Sequence, residues 1–169
     1  MLVDRVHAIC EYFDHQGMVY CLIGAIDWAL HDLAAQRAGV PLHRFLCDDP
    51  ADSIEIYAST GFATWPLDVM ISDLEQCRDR GFRSAKMRST TDFADVDGSI
   101  QRIRDVFELL PDGIRLGVDP AQQIFHLPVR WSLEDAKRLV EEASEYPIRF
   151  LEDTLQIQDL EGYVELRKM

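Results

Sequence analysis

The sequence predicts an α/β chain: helices first, then about four βα units, as suits a partial TIM-like (β/α) barrel or a doubly wound sheet. Three observations carry that expectation. The rhythm changes near residue 50 from helical spacing alone to strands alternating with helices. The alternating unit then recurs roughly every 30 residues, the length of a βαβ step. Finally, apolar strand-like runs end in acids, as in IRLGVDP (114–120) and IRFLEDT (148–154).

Each element follows from its own pattern. Leu2, Val3, Val6, Ile9 and Phe13 fall at helical spacing before Gly17. A second helix is predicted over 18–37, with Val19, Leu22, Ile23, Ile26, Leu30 and Leu33 on its apolar face and Gly39 with Pro41 as its stop. Residues 1–50 thus form a helical part, and 51–169 the barrel-like part. After the CDDPADS loop, IEIYAS (54–59) reads as a strand, and 66–80 as a helix opened by Pro66 and closed by Gly81. FRSAKMR (82–88) is the second strand, 97–110 a helix, and 114–119 the third strand. Ser132 and Asp135 fit the start of a capping-box helix over 132–146, followed by strand 148–152 and a helix over 159–168. Parallel strands covered on both faces read as apolar runs, as these do. Periodicity alone leaves a closed barrel and a doubly wound open sheet both standing.

Bulk composition excludes several function classes. The 169 residues are 47% hydrophobic, enough for a real core, and 17 basic against 30 acidic residues give a net charge of −13. That excess repels phosphate backbones and anionic lipid, so neither nucleic acid nor membrane is an expected partner. Asp27 interrupts the apolar stretch MVYCLIGAIDWAL, which predicts no membrane-spanning helix. The start, MLVDRVHAIC, lacks the basic region of a secretion signal. Cys10, Cys21, Cys47 and Cys77 show no metal-like spacing and are expected as free buried thiols of a cytoplasmic protein.

Chemistry is expected at the carboxyl ends of the strands, where parallel α/β folds place their ligands. Lys86 and Arg88 end one strand on a single face, Asp119 ends the next, and Glu152, followed by Asp153, ends the fourth. Converging carboxylates repel unless neutralised, and a hard cation such as Mg²⁺ does this economically. Beside Arg88 and a metal, the ammonium form of Lys86 is expected to be disfavoured, which would suit it to remove a proton next to a carboxylate. The plainer alternative is a set of ordinary ion pairs at strand ends. His126 and Trp65 are candidate substrate contacts from their loop positions. His7, His15, His31 and His43 are expected to be structural or solvated, and Trp28 and Trp131 to be packing residues. No nucleophile triad or phosphate loop is present.

These residues resemble the enolase superfamily, in its mandelate racemase/muconate lactonizing enzyme group. GAIDWALHDLAAQRAGVPLHRFL (24–46) is similar to the helix closing that family's capping domain, GFRSAKMR to the second barrel strand, IRLGVDPAQQIF to the third, and IRFLEDTL with DLEGYVELR to the fourth. The resemblance implies Lys86 as acid/base, Arg88 beside it, Asp119 and Glu152 as Mg²⁺ ligands, and lyase or isomerase chemistry on a small carboxylate, including acid-sugar dehydration. Departures are Asp119-Pro120-Ala121 for Asp-Ala-Asn, Glu152-Asp153-Thr154 for Glu-x-Pro, and Cys47-Asp48 for a glycine pair. The family's fifth-strand ligand and later Asp and His have no counterpart here. The chain is therefore expected to be an internal fragment, inactive alone, with exposed strand edges that favour homo-oligomers, aggregation or a molten state. The alternatives are an inactive remnant or oligomerising domain on this scaffold, and a doubly wound binding domain.

Overall fold

The computed structural model describes Arg5 and residues 18–89, 95–122 and 130–169. The helix read over residues 2–13 lies, Arg5 apart, outside the described residues, as do His7, His15 and Cys10. The chain divides into two compact units, Met1–Ile54 and Glu55–Met169.

In the first unit, helix α1 (Met18–Ala38) is followed by the short helix α2 (Leu42–Leu46). Of the expected apolar face of α1 only Ile23 is fully buried, joined by Ala35, while Leu22, Ile26 and Leu33 are exposed. Length explains the difference. A 21-residue helix is about 32 Å long, and the five residues of α2 cover roughly 8 Å of it. Trp28, expected to pack, is also exposed. Asp27 does not interrupt the helix, because its carboxylate reaches His31 one turn on at 3.3 Å. The expectation of no membrane-length helix is corrected to that extent: α1 is long and apolar enough to cross a bilayer by length and composition alone. Asp27 and Asp32 near its middle would each cost about 3 kcal/mol there, which favours reading it as a helix with polar flanks. Cys21 and Cys47 are free but exposed, against expectation, and only Cys77 is a buried thiol among the described residues.

The second unit alternates β1 (Ala58–Ser59), α3 (Leu67–Asp79), β2 (Ser84–Arg88), α4 (Val96–Glu108), β3 (Arg115–Asp119), α5 (Leu133–Ala143), β4 (Ile148–Leu151) and α6 (Leu160–Leu166). All four strands are parallel, in the order β1-β2-β3-β4. Sequential order with no reversal is the winding of a barrel, whereas a doubly wound sheet reverses at a switch point. The alternative left open by periodicity is thereby closed. Strand β1 is shorter than the predicted 54–59. Ala58 pairs with Ala85, so residues before 57 would need partners ahead of Ser84, where the chain is still turning out of α3.

The outward face of the sheet makes the core. Ala85, Met87, Leu116 and Val118 are fully buried against Met70 and Leu74 of α3, Ile103 and Val106 of α4, and Leu139 of α5, with Trp131 in the same cluster. Local signals start the helices: the Asp95 carboxylate accepts from Gly98 N, Ser132 and Asp135 form the full capping box, and Asp159 accepts from Gly162 N. Between α4 and α5, Arg104 donates twice to Glu142, both at 2.7 Å, and holds its carboxyl below the usual carboxylate range. An acid depressed on folding adds stability that is present above its ordinary value of 4.5 and lost as pH falls through the lower folded one. Glu142→Gln is therefore expected to lower the urea midpoint slightly at pH 7 and by progressively less as pH falls below 4.5. A loss that stays equal across that range would show that the pair adds nothing.

The inward face carries Ser84, Lys86 and Arg88 from β2 and Arg115, Gly117 and Asp119 from β3. The β3–β4 register shifts, because Leu116 pairs with Ile148 but Val118 with Leu151. Two residues of β4, Arg149 and Phe150, thus stand opposite the single Gly117, as in a β-bulge. Both turn inward. Arg149 donates to Ser84 Oγ and to Glu55, and the Phe150 ring occupies the space over Gly117. Glu55 also accepts from Arg115 at 2.8 Å, which ties the segment before β1 to the starts of β3 and β4. The shift has a consequence two residues on: Glu152 comes level with Asp119.

Candidate metal and acid–base site

At the carboxyl ends of the strands, Lys86 Nζ donates to Asp119 Oδ2 at 3.1 Å and to Glu152 Oε1 at 2.9 Å. Arg88 lies 3.7 Å from the same Asp119 oxygen. The parallel register makes this convergence, since Arg88 pairs with Asp119 and Glu152 N donates to Val118 O at 2.9 Å. Asp119 is 1% exposed and Lys86 12%, so the pair is substantially out of water. The other Asp119 oxygen accepts from Ala121 N at 2.8 Å.

Burial disfavours the Lys86 ammonium, but its bonds to Glu152 and Asp119 and their charges outweigh that, and its pKa stands above the ordinary 10.5. The expectation of a disfavoured ammonium is for Lys86 beside a bound metal, whereas the two carboxylates by themselves favour the charged form. The two carboxylates dominate, and Arg88 approaches one of them, Asp119, at 3.7 Å. These contacts have the form of the ion pairs of the plainer reading.

Sequence reasoning noted Asp153 after Glu152 but gave it no role. Its carboxylate joins Asp119 and Glu152 in a group whose oxygens lie within 4.8 Å of one another. Burial, then the charges of Asp119 and Glu152, push the Asp153 carboxyl up, with Lys86 and Arg88 offsetting only part. A second acid directly after a strand-ending Glu was the signal available in the sequence, and the structure adds its positive φ of 54. The donor set is all carboxylate oxygen, which fits Mg²⁺ and Mn²⁺ and not the metals that prefer thiolate or imidazole. Asp119 and Glu152, with Asp153 beside them, are the groups able to hold such an ion.

The remaining candidates fall elsewhere. His126 lies outside the described residues. Trp65 is in the loop between β1 and α3, its ring edge-on to Phe62 at 5.2 Å and its carbonyl accepting from Arg102 at 2.8 Å. Among the described residues no hydrogen bond, ion pair or ring contact joins it to the Lys86 cluster. That loop leaves β1 through Gly61 (φ 64), where an added Cβ would come within 2.8 Å of Met87 Cβ. His31 bonds the Asp27 backbone, and His43 is exposed.

Sequential parallel strands that deliver an amine and acids to one inner lip place the chain among (β/α)-barrel proteins. It belongs to the enolase superfamily, in the mandelate racemase/muconate lactonizing enzyme group: residues 69–169 match the family described as "Enolase C-terminal domain-like". The chain is 32% identical to L-talarate/galactarate dehydratase of Salmonella typhimurium over 89% of its own length and 35% of that protein's. It is 29% identical to L-rhamnonate dehydratase of Saccharopolyspora erythraea over 98% and 39%. The crystal structure of L-talarate dehydratase from Polaromonas sp. JS666, complexed with Mg and L-glucarate, superposes with a TM-score of 0.82 at 27% identity, covering 99% of this chain and 44% of that one. The chain thus spans well under half the length of each of these relatives.

Proposed function

We propose that this chain carries the metal-binding and acid–base part of a Mg²⁺-dependent lyase or isomerase that removes the proton α to a substrate carboxylate, with acid-sugar dehydration as the reaction class. The carrying observation is the convergence of Lys86 Nζ on Asp119 and Glu152 at 3.1 and 2.9 Å, on adjacent strand ends. Two relatives named as acid-sugar dehydratases and a neighbour solved with Mg and L-glucarate support the substrate class, a small carboxylate. In this reading residues 1–50 are the helical part of a capping domain and 51–169 the first half of the barrel. Among the described residues, strands β1 and β4 are each paired on one side only, which favours a homo-oligomer.

Asp119 and Glu152, with Asp153 alongside, would hold the cation, which when bound supplies Lewis-acid charge for the substrate carboxylate. Lys86 moves the proton. The substrate C–H bond breaks as an N–H bond forms at Nζ, and the electron pair stays on the substrate as its enediolate. For this, Nζ has to arrive neutral. Arg88 helps by competing for the Asp119 oxygen that otherwise holds the ammonium. The two-residue spacing on β2 keeps both cations on the inner face, so Arg88 can also take a substrate oxygen.

Thermal unfolding of wild type and Asp119→Asn across a Mg²⁺ series tests the reading. A cation bound only by the folded chain adds about 1.4 kcal/mol at ten times its Kd. Wild type is expected to gain that increment and to go on rising with the logarithm of Mg²⁺ concentration, and Asp119→Asn to gain none. A wild type no more stabilised than Asp119→Asn rules out the metal site in this chain.

A further inference from the structure

The two acid-bearing loops continue past the last paired residues of β3 and β4, yet they stay bonded to each other. Gln122 N donates to Asp153 O at 2.8 Å, and Gln156 Nε2 donates to Gln122 O. Gln122 itself is 1% exposed, and its Oε1 accepts from Trp131 N at 3.1 Å, which anchors the β3 loop to the base of α5. On the other side, the Tyr163 hydroxyl donates to Leu155 O at 2.7 Å and accepts from Leu155 N at 3.2 Å, which anchors the β4 loop to α6. Ala121 and Asp153, the two non-glycine positive-φ residues among those described (φ 54 each), border the crossing bonds. Backbone of that kind persists where its surroundings over-determine it. Here the over-determination comes from the cross-loop bonds.

We infer that Gln156 is a positioning residue: its side-chain amide staples the loop carrying Glu152 and Asp153 to the loop carrying Asp119, and holds the three carboxylates in register. Gln156 touches none of these carboxylates through its bond to Gln122 O. It acts through the backbone between them. The effect on a bound cation rests on the proposed metal reading; the staple itself does not.

Gln156→Met keeps length and removes the donor. Gln156→Glu keeps shape and sets a second acceptor against Gln122 O, so it serves if the first variant folds poorly. Two readouts separate the staple from the metal reading. In cation-free buffer, amide exchange at Gln122 is expected to speed up roughly tenfold, the scale of one lost hydrogen bond, with Met87 and Val118 in the strand ladder unchanged. Mn²⁺ affinity, followed by electron paramagnetic resonance below the unfolding range, is expected to fall roughly tenfold or more, as when partners outside the ligand set are lost. Unchanged exchange at Gln122 overturns the staple. Faster exchange with Mn²⁺ affinity equal to wild type overturns its positioning role. Faster exchange in a chain whose wild type binds no Mn²⁺ supports the staple and removes the metal reading alone.

Discussion

Lys86→Met is expected to destabilise the chain by about 3 kcal/mol in EDTA, and most of that loss is expected to return when Mg²⁺ is added. The first half follows from the burial of the ion pair. Lys86 bonds both Asp119 and Glu152, and Asp119 has almost no exposure to water. Removing one partner of a buried pair costs about 3–5 kcal/mol, because the other is left charged and unsolvated. Arg88, at 3.7 Å from Asp119, moderates this and sets the expectation at the lower end. The second half separates two readings of one geometry. If Asp119 and Glu152 are partners of the lysine and nothing more, added Mg²⁺ leaves the gap between variant and wild type untouched. If they are ligands, the cation replaces the missing charge and stabilises the variant more than wild type, since no ammonium competes for its oxygens. Chemical unfolding of both chains with and without Mg²⁺ reads this directly. No loss in EDTA would show that the carboxylates are solvated well enough to need no partner.

The sequence made this cluster legible for a specific reason. In parallel α/β folds strand ends are functional positions, and the runs ending at Arg88, Asp119 and Glu152 were apolar enough to mark those ends. Two helix starts were legible from local signals, the Ser132–Asp135 capping box and Pro66, whereas Pro41, read as the stop of the preceding helix, also opens the short α2. What stayed hidden depends on pairing between distant residues. The extra residue in β4, which turns both Arg149 and Phe150 inward and levels Glu152 with Asp119, arises from register against β3 and has no local signature. Gln122 and Gln156 look like ordinary loop amides in sequence, because their importance lies in each other. Lys86 shows the same limit: an arginine two residues away is visible in the sequence, but only the fold brings two carboxylates into hydrogen-bond contact with the amine, where they favour its charged form.

Gly117→Val is the change that tests whether that register matters. By strand propensity alone a β-branched residue in β3 should stabilise, by up to about 1 kcal/mol. The structure predicts the opposite sign. A Cβ at Gly117 would lie 2.4 Å from Phe150 Cζ, with two further ring carbons inside 3 Å. The ring cannot simply move across, because Tyr57 packs on it with centroids 5.2 Å apart. Forced overpacking of this kind costs about 1–3 kcal/mol, so Gly117→Val is expected to lower stability by about 2 kcal/mol. It should also weaken divalent binding, because Glu152 follows Phe150 by two residues on the displaced strand. Pairing the change with Phe150→Ala makes the cause explicit. If the ring is the obstacle, the double variant is more stable than the sum of the two single losses predicts, with a coupling of about 1 kcal/mol or more. If Gly117→Val is as stable as wild type, or its cost is simply additive with Phe150→Ala, then the glycine is not there to seat the ring. The bulge would then need another explanation for bringing Glu152 level with Asp119.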